Sequence, residues 1–178
     1  MDQVIITGAP STGKSTLIEA LSAAGYRVSK ERARHVIEEQ LSEGGNALPW
    51  IDNSAFSKIV LDLQLRDLKT APEHDLTFFD RGIPDVLAYF KFHNQLDLAS
   101  RYSSLAQANR YYPYVFFLPL WKDIYNNDSG RKETFEEAQK IDHFLRQTYQ
   151  EYGYKLIELP FVSSEERLKF ILHHFGIN

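Results

Sequence analysis

A chain of 178 residues, 43% apolar and 25% charged, has the size and mixture that one soluble domain with a full core requires. Its formal charge of −4 offers no broad basic face to a nucleic acid or an acidic membrane, and neither partner is expected. With no cysteine, disulfides, thiolate metal sites and cysteine nucleophiles are excluded.

The first apolar run, residues 4–7, predicts a strand. It is too short for the apolar part of a signal peptide and no basic segment precedes it. The longest apolar stretch, near residues 115–120, falls well short of a membrane span, so the expected location is the cytoplasm. Residues 16–24 predict the first helix, stopped by Gly25, and residues 26–29 a short second strand. In residues 32–42, Ala33, Val36, Ile37 and Leu41 fall on one helical face. A loop follows over residues 44–49. Asp52 or Asn53 then caps a helix that turns Phe56, Ile59, Val60 and Leu63 inward and breaks at residues 71–75.

Residues 76–79 predict the third strand, with Asp80 at its carboxyl end. Pro84 suits the first turn of a helix running toward Phe92. Another helix is expected over residues 100–109, and a buried fourth strand over residues 114–118. Residues 121–132 are polar and irregular. Thr134 and Glu137 form a capping-box pattern before Phe135, Ala138, Ile141, Leu145, Tyr149 and Tyr152, which keep helical spacing up to Gly153. Residues 154–159 predict a fifth strand. Ser163 and Glu166 open a last helix with Leu168, Ile171, Leu172 and Phe175 inward, stopped by Gly176. Short apolar strands alternating with helices predict an α/β fold with a mainly parallel sheet.

Between the first strand and the first helix lies Gly8-Ala9-Pro10-Ser11-Thr12-Gly13-Lys14-Ser15, followed by Thr16. This is the Walker A, or P-loop, spacing in the strand-to-helix context that it requires. The glycines free the backbone to turn its N–H groups toward an anion, and the helix N-terminus adds positive potential. Lys14 brings a charge to the β and γ phosphates, and Ser15 a hydroxyl to Mg²⁺. Residues 8–16 are therefore the expected nucleotide cradle, for ATP, with GTP also open.

Asp80 stands where a strand-end carboxylate supports magnesium, directly or through water; an aspartate there can also cap the next helix. Its neighbour is Arg81, where many P-loop ATPases carry a glutamate that activates water. A guanidinium clamps phosphate and cannot act as a base, which favours transfer to a bound acceptor over hydrolysis. The Asn-Lys-x-Asp and Asp-x-x-Gly signals of G proteins are missing. Glu31 follows the second strand, at the carboxyl edge of the sheet where ligands bind. It could take a proton from an acceptor hydroxyl, help hold magnesium, or only favour the start of a helix. Arg34 is a candidate for the same pocket or a solvated face. Arg131, and after it Lys132, lie in a polar segment that could close over the phosphates. Arg110, Tyr111, Tyr112 and Trp121 line a pocket or belong to the core. The six histidines show no metal spacing.

Taken in order, Gly8 to Ser15, Ser29-Lys30-Glu31-x-x-Arg34, Asp80-Arg81-Gly82, Arg131 and Gly153-Tyr154-Lys155-Leu156-Ile157-Glu158-Leu159-Pro160 resemble a small P-loop ATPase/kinase family. That family includes the nicotinamide-riboside kinase part of bacterial NadR and a eukaryotic nucleotide-binding photoreceptor-trafficking protein. The resemblance implies an AAA-type, three-layer αβα P-loop NTPase fold over residues 1–178, with a parallel five-stranded sheet of order 2-3-1-4-5 and a lid at about residues 121–135. Set beside nucleoside kinases, Glu31 matches the acidic residue after the second strand, Asp80-Arg81 the acidic-Arg pair after the third, and Arg131 the lid arginine. The Glu-Pro form of many deoxynucleoside kinases is missing, since Arg32, Ala33 and Arg34 follow Glu31; this argues against an ordinary deoxynucleoside. The expectation is a magnesium-dependent kinase acting on a small nucleoside-like acceptor. The alternative is a nucleotide-dependent switch or slow NTPase whose output is a protein partner.

Overall fold

The computed structural model of the chain describes residues 2–72, 75–124 and 134–177. Its strands are β1 (Gln3–Gly8), β2 (Arg27–Ser29), β3 (Thr77–Asp80), β4 (Tyr114–Leu118) and β5 (Lys155–Glu158). Its helices are α1 (Lys14–Ala23), α2 (Arg32–Glu43), α3 (Asn53–Thr70), α4 (Ile83–Phe92), α5 (Leu96–Arg101), α6 (Ser103–Ala108), α7 (Phe135–Glu151) and α8 (Ser164–His174). The strands form one sheet in the order β2-β3-β1-β4-β5, and every neighbouring pair is parallel.

The two-residue alternation of a strand decides which side chain meets which helix layer. Val4, Ile6, Phe78, Phe116 and Leu118 pack on one face against Leu17 and Leu21 of α1 and Ile171 of α8. Ile5, Phe79, Val115 and Phe117 pack on the other against Leu61 of α3, Leu87 of α4 and Leu145 of α7. With both faces covered, these strands read as continuous apolar runs. Each such buried side chain contributes about 1.5–3 kcal/mol. Among the described residues no helix is long and apolar enough to cross a membrane.

The caps follow the sequence. Asp52 accepts from the Ala55 N–H at 2.9 Å, and both capping boxes close, at Thr134–Glu137 and Ser163–Glu166. Two expectations shift. Helix α1 starts at Lys14 rather than Thr16, so the P-loop lysine and serine belong to its first turn. The helix expected over residues 100–109 is two short helices, α5 and α6, joined at Tyr102. No glycine or proline marks that break. The Tyr102 ring stacks on Phe90 of α4, with centroids 6.0 Å apart and planes 13° apart, so tertiary packing accompanies it. Arg131 and Lys132, with most of the expected lid, lie outside the described residues.

The strand order brings the carboxyl ends of β1, β2 and β3 together. Gly8, Glu31, Asp80 and Arg81 meet there, and the clefts beside those ends are where open α/β sheets bind ligands.

Candidate active site

The loop from Gly8 to Ser15 has a backbone that only certain residues tolerate. Gly8 has φ 153°, and a Cβ on it would lie 2.4 Å from the Leu118 carbonyl oxygen of β4. Gly13 has φ 87° and Ser11 φ 62°, both in the left-handed region. Helix α1 then begins at Lys14 with no side-chain cap, so its first N–H groups remain for an anion. Thr12 donates its hydroxyl to the Ala9 carbonyl at 3.0 Å, tightening the turn. Lys14 reaches back across the loop and donates to the Gly8 and Ala9 carbonyls at 2.8 and 2.7 Å. Pro10, Ser11, Thr12, Gly13, Lys14 and Ser15 line one end of a cavity of about 720 Å³. Ala9 is fully buried, and Thr16 is exposed outside that lining.

Four further charges surround Lys14. Burial, then the charge of Arg81, pulls the Lys14 ammonium down to about 7, against the pull of Asp80, Glu31 and Asp85. Burial and the nearby Glu31 push Asp80 up to about 6. The Asp80 Oδ1 atom is buried without a hydrogen-bond partner among the described residues. A buried orphaned carboxylate oxygen beside a P-loop is a fitting ligand for a divalent cation, with the Ser15 hydroxyl as its companion. Among the described residues no group of three or more histidine or acidic side chains gathers into a metal cage. Mg²⁺ in general takes one or two protein ligands and completes its shell with phosphate and water.

Arg81 is the hub. It holds φ 71°, fixed by its N–H donating to the Ile6 carbonyl at 3.0 Å. Its Nε donates to Glu31 at 3.0 Å, and its Nη1 to Asp85 at 3.3 Å and to the Gly8 carbonyl at 3.4 Å. Burial alone would raise Glu31, but the charges of Arg81 and Lys14 outweigh it and hold that carboxyl below its ordinary value.

Asp85 is a residue of this cavity that the sequence did not single out. Only 1% exposed, it gathers donors from three elements. Its carboxylate accepts from the Thr7 hydroxyl of β1, from Arg81, from the Gly82 N–H at 2.8 Å and from the Tyr149 hydroxyl of α7. The signal was an aspartate three residues after Gly82, which by itself reads as an ordinary helix-start residue. Arg167 was also missed. From α8 it donates to the Thr12 carbonyl at 2.9 Å and so braces the outside of the P-loop. No local pattern announces a contact across that separation.

From the P-loop the cavity extends between α2, α3 and α4, with Glu31, Arg81 and Asp85 along the way. Arg34 is exposed and lines it. Arg110, Tyr111, Tyr112 and Trp121 do not. Arg110 stacks on Tyr154 at 4.0 Å, Tyr111 belongs to the core, Tyr112 packs on Phe175, and Trp121 lies beside Phe161 and Arg167.

A parallel 2-3-1-4-5 sheet, covered on both sides and carrying a Walker A loop after β1, defines a P-loop fold of the nucleoside and nucleotide kinase type. Within that class, residues 3–167 match the sequence model of an AAA domain family, and the chain belongs to that family. No curated protein matches it in sequence. Among solved structures it is similar to NadR in complex with NR, at TM-score 0.73 and 17% identity, covering 99% of this chain and 52% of that one. It is also similar to deoxyadenosine kinase from M. mycoides with products dCMP and dCDP, at TM-score 0.69 and 15% identity over 98% of both chains. Thymidylate kinase from Ehrlichia chaffeensis matches at TM-score 0.68 and 10% identity, again over 98% of both chains. At these identities the likeness is one of fold.

Proposed function

We propose that this protein transfers the γ-phosphoryl group of ATP to a hydroxyl of a small nucleoside-like acceptor, with Mg²⁺. One observation carries this reading: the cavity that the P-loop lines continues between α2, α3 and α4, leaving room beyond the phosphate cradle, and the paired Arg81 and Glu31 line it too. Hydrolysis needs only a water site, whereas a compartment of this kind can hold a second substrate in line with the phosphate. The solved kinases that share the fold, among them one holding dATP and NadR holding AMP-PNP, support ATP as donor.

Phosphoryl transfer rests on alignment and on charge neutralisation. Residues 8–16 cradle the polyphosphate, and Lys14 follows the charge that spreads onto the transferred group. Asp80 and Ser15 would hold the Mg²⁺, which screens the phosphate oxygens from one another when bound. Arg81, kept charged and aimed by Glu31 and Asp85, clamps the phosphoryl group. Glu31 accepts the acceptor hydroxyl's hydrogen bond and takes its proton as the new bond forms.

Three outcomes are expected. Glu31→Gln lowers kcat by about 10²-fold or more and leaves ATP affinity nearly intact; an unchanged kcat removes Glu31 from the role of base. Asp80→Asn raises the magnesium concentration needed for half-maximal rate, and an unmoved magnesium curve contradicts the metal assignment. Above pH about 7 much of the Lys14 population is neutral in the free protein. A polyphosphate favours its ammonium form, so nucleotide binding at pH 8 takes up protons. Calorimetry in two buffers of different ionisation enthalpy reads this directly, and identical heats contradict it.

The test of the function is a nucleoside panel incubated with γ-labelled ATP. Label in a phosphorylated nucleoside supports the kinase. Label released only as free phosphate supports the nucleotide-dependent switch or slow NTPase instead.

A further inference from the structure

We propose that Arg167 is a positioning residue for the nucleotide's polyphosphate: from behind the P-loop it holds the Thr12–Gly13 peptide with its N–H toward the phosphates, and it adds a charge that no carboxylate among the described residues cancels. The inference rests on the P-loop holding a polyphosphate, and not on transfer to an acceptor.

Arg167 stands on α8, 155 residues along the chain from Thr12, and is 3% exposed. Its nitrogens can be followed one by one. Nε donates to the Pro160 carbonyl and Nη1 to the Thr12 carbonyl, each at 2.9 Å. Nη2 is buried with no hydrogen-bond partner among the described residues. None of the three meets a carboxylate there, and a guanidinium keeps its charge. Buried arginines are ordinarily paired with an acid. This one instead sets its charge against the back of a loop built to gather an anion.

The contact with Thr12 also sets a direction. A trans peptide points its C=O and its N–H opposite ways, and no cis peptide occurs among the described residues. Thr12 and Gly13 line the cavity, whereas Arg167 does not. Drawing the Thr12 carbonyl outward to α8 therefore turns the Gly13 N–H to the cavity side, where the loop receives its anion. A charged donor on that carbonyl polarises the same peptide and makes its N–H a better donor. Gly13 lets the guanidinium approach this closely, since a Cβ there would lie 3.2 Å from Nη1.

Isothermal titration of the full chain with MgATP and with magnesium tripolyphosphate, which has neither base nor sugar, tests this. Arg167→Gln is expected to weaken both by about tenfold or more. It should also flatten the fall of affinity with added salt, because one cation facing the anion is gone. Arg167→Lys keeps the charge but cannot fork between two carbonyls, so it should retain the salt dependence and recover only part of the affinity. The Gly13 amide proton resonance should move on adding magnesium tripolyphosphate to the wild type, and move less in Arg167→Gln. Unchanged affinity in Arg167→Gln overturns the proposal. A loss confined to MgATP overturns it too, by placing Arg167 at the base instead of the phosphates. An equal loss in both variants with the salt dependence intact, or failure of both to fold, would mark Arg167 as structural and overturn it equally. If only Arg167→Lys folds, unchanged affinity for both probes overturns it. A wild type that binds neither probe removes the nucleotide reading and this inference with it. Arg167-dependent binding of both probes without any phosphorylated nucleoside would sustain the inference while removing the kinase reading alone.

Discussion

Lys14→Ala is expected to cut phosphoryl transfer by about 10²–10³-fold, the usual consequence of losing one preorganised charge on a reacting oxyanion. The side chain is 6% exposed and anchored at both the Gly8 and Ala9 carbonyls, so it is already aimed along the loop. Its removal takes away the charge proposed to meet the transferred group and leaves two carbonyl oxygens of the loop without that donor. Steady-state rates with γ-labelled ATP measure the loss. Thermal unfolding of the same sample separates lost chemistry from lost fold. Full turnover in this variant would refute the site.

Asp85→Ala carries the largest expected effect on stability. The substitution strips a shared acceptor from Thr7, Arg81, Gly82 and Tyr149 in the centre of the molecule. Glu31 and the Gly8 carbonyl remain for Arg81, but its Nη1 loses the buried carboxylate that balanced its charge. Breaking a buried charge pair by deleting one partner destabilises by about 3–5 kcal/mol. For a chain of this size that is a fall in Tm of roughly 10 °C. Urea unfolding of the variant measures it, and a loss under about 1 kcal/mol would show that the network matters little. Asp85→Asn, which keeps one acceptor oxygen and the shape, should lose less stability and still lower kcat through a misplaced Arg81.

The parts of the fold legible in the sequence are those set by short-range physics. The short apolar runs that form the strands, the caps at Asp52, Thr134 and Ser163, and the glycine-framed loop before Lys14 are all local patterns, and the structure has each of them. The break at Tyr102 was not legible, because it goes with the stacking of one ring on a neighbouring helix rather than with a breaking residue. The site divides in the same way. Gly8 to Ser15 and the Asp80–Arg81 pair lie at strand ends, where position alone suggests chemistry. Glu31 left three readings open in the sequence, and the structure adds that it pairs with Arg81 at the rim of the P-loop cavity. Asp85 and Arg167 gave no sign. Each occupies an unremarkable helical position, and its meaning comes from groups far along the chain or from an open cavity. Arg34 lines that cavity, while the aromatic candidates near Arg110 turned out to be packing groups.

Titration of the purified protein with MgATP and with MgGTP is the most direct test of the account, because the roles proposed for Lys14, Ser15, Asp80, Arg81 and Glu31 all need a polyphosphate in the turn between β1 and α1. Binding of at least one of them at or below millimolar concentration, weakened in Lys14→Ala, is the predicted result. Failure of both to bind at millimolar concentration would contradict it.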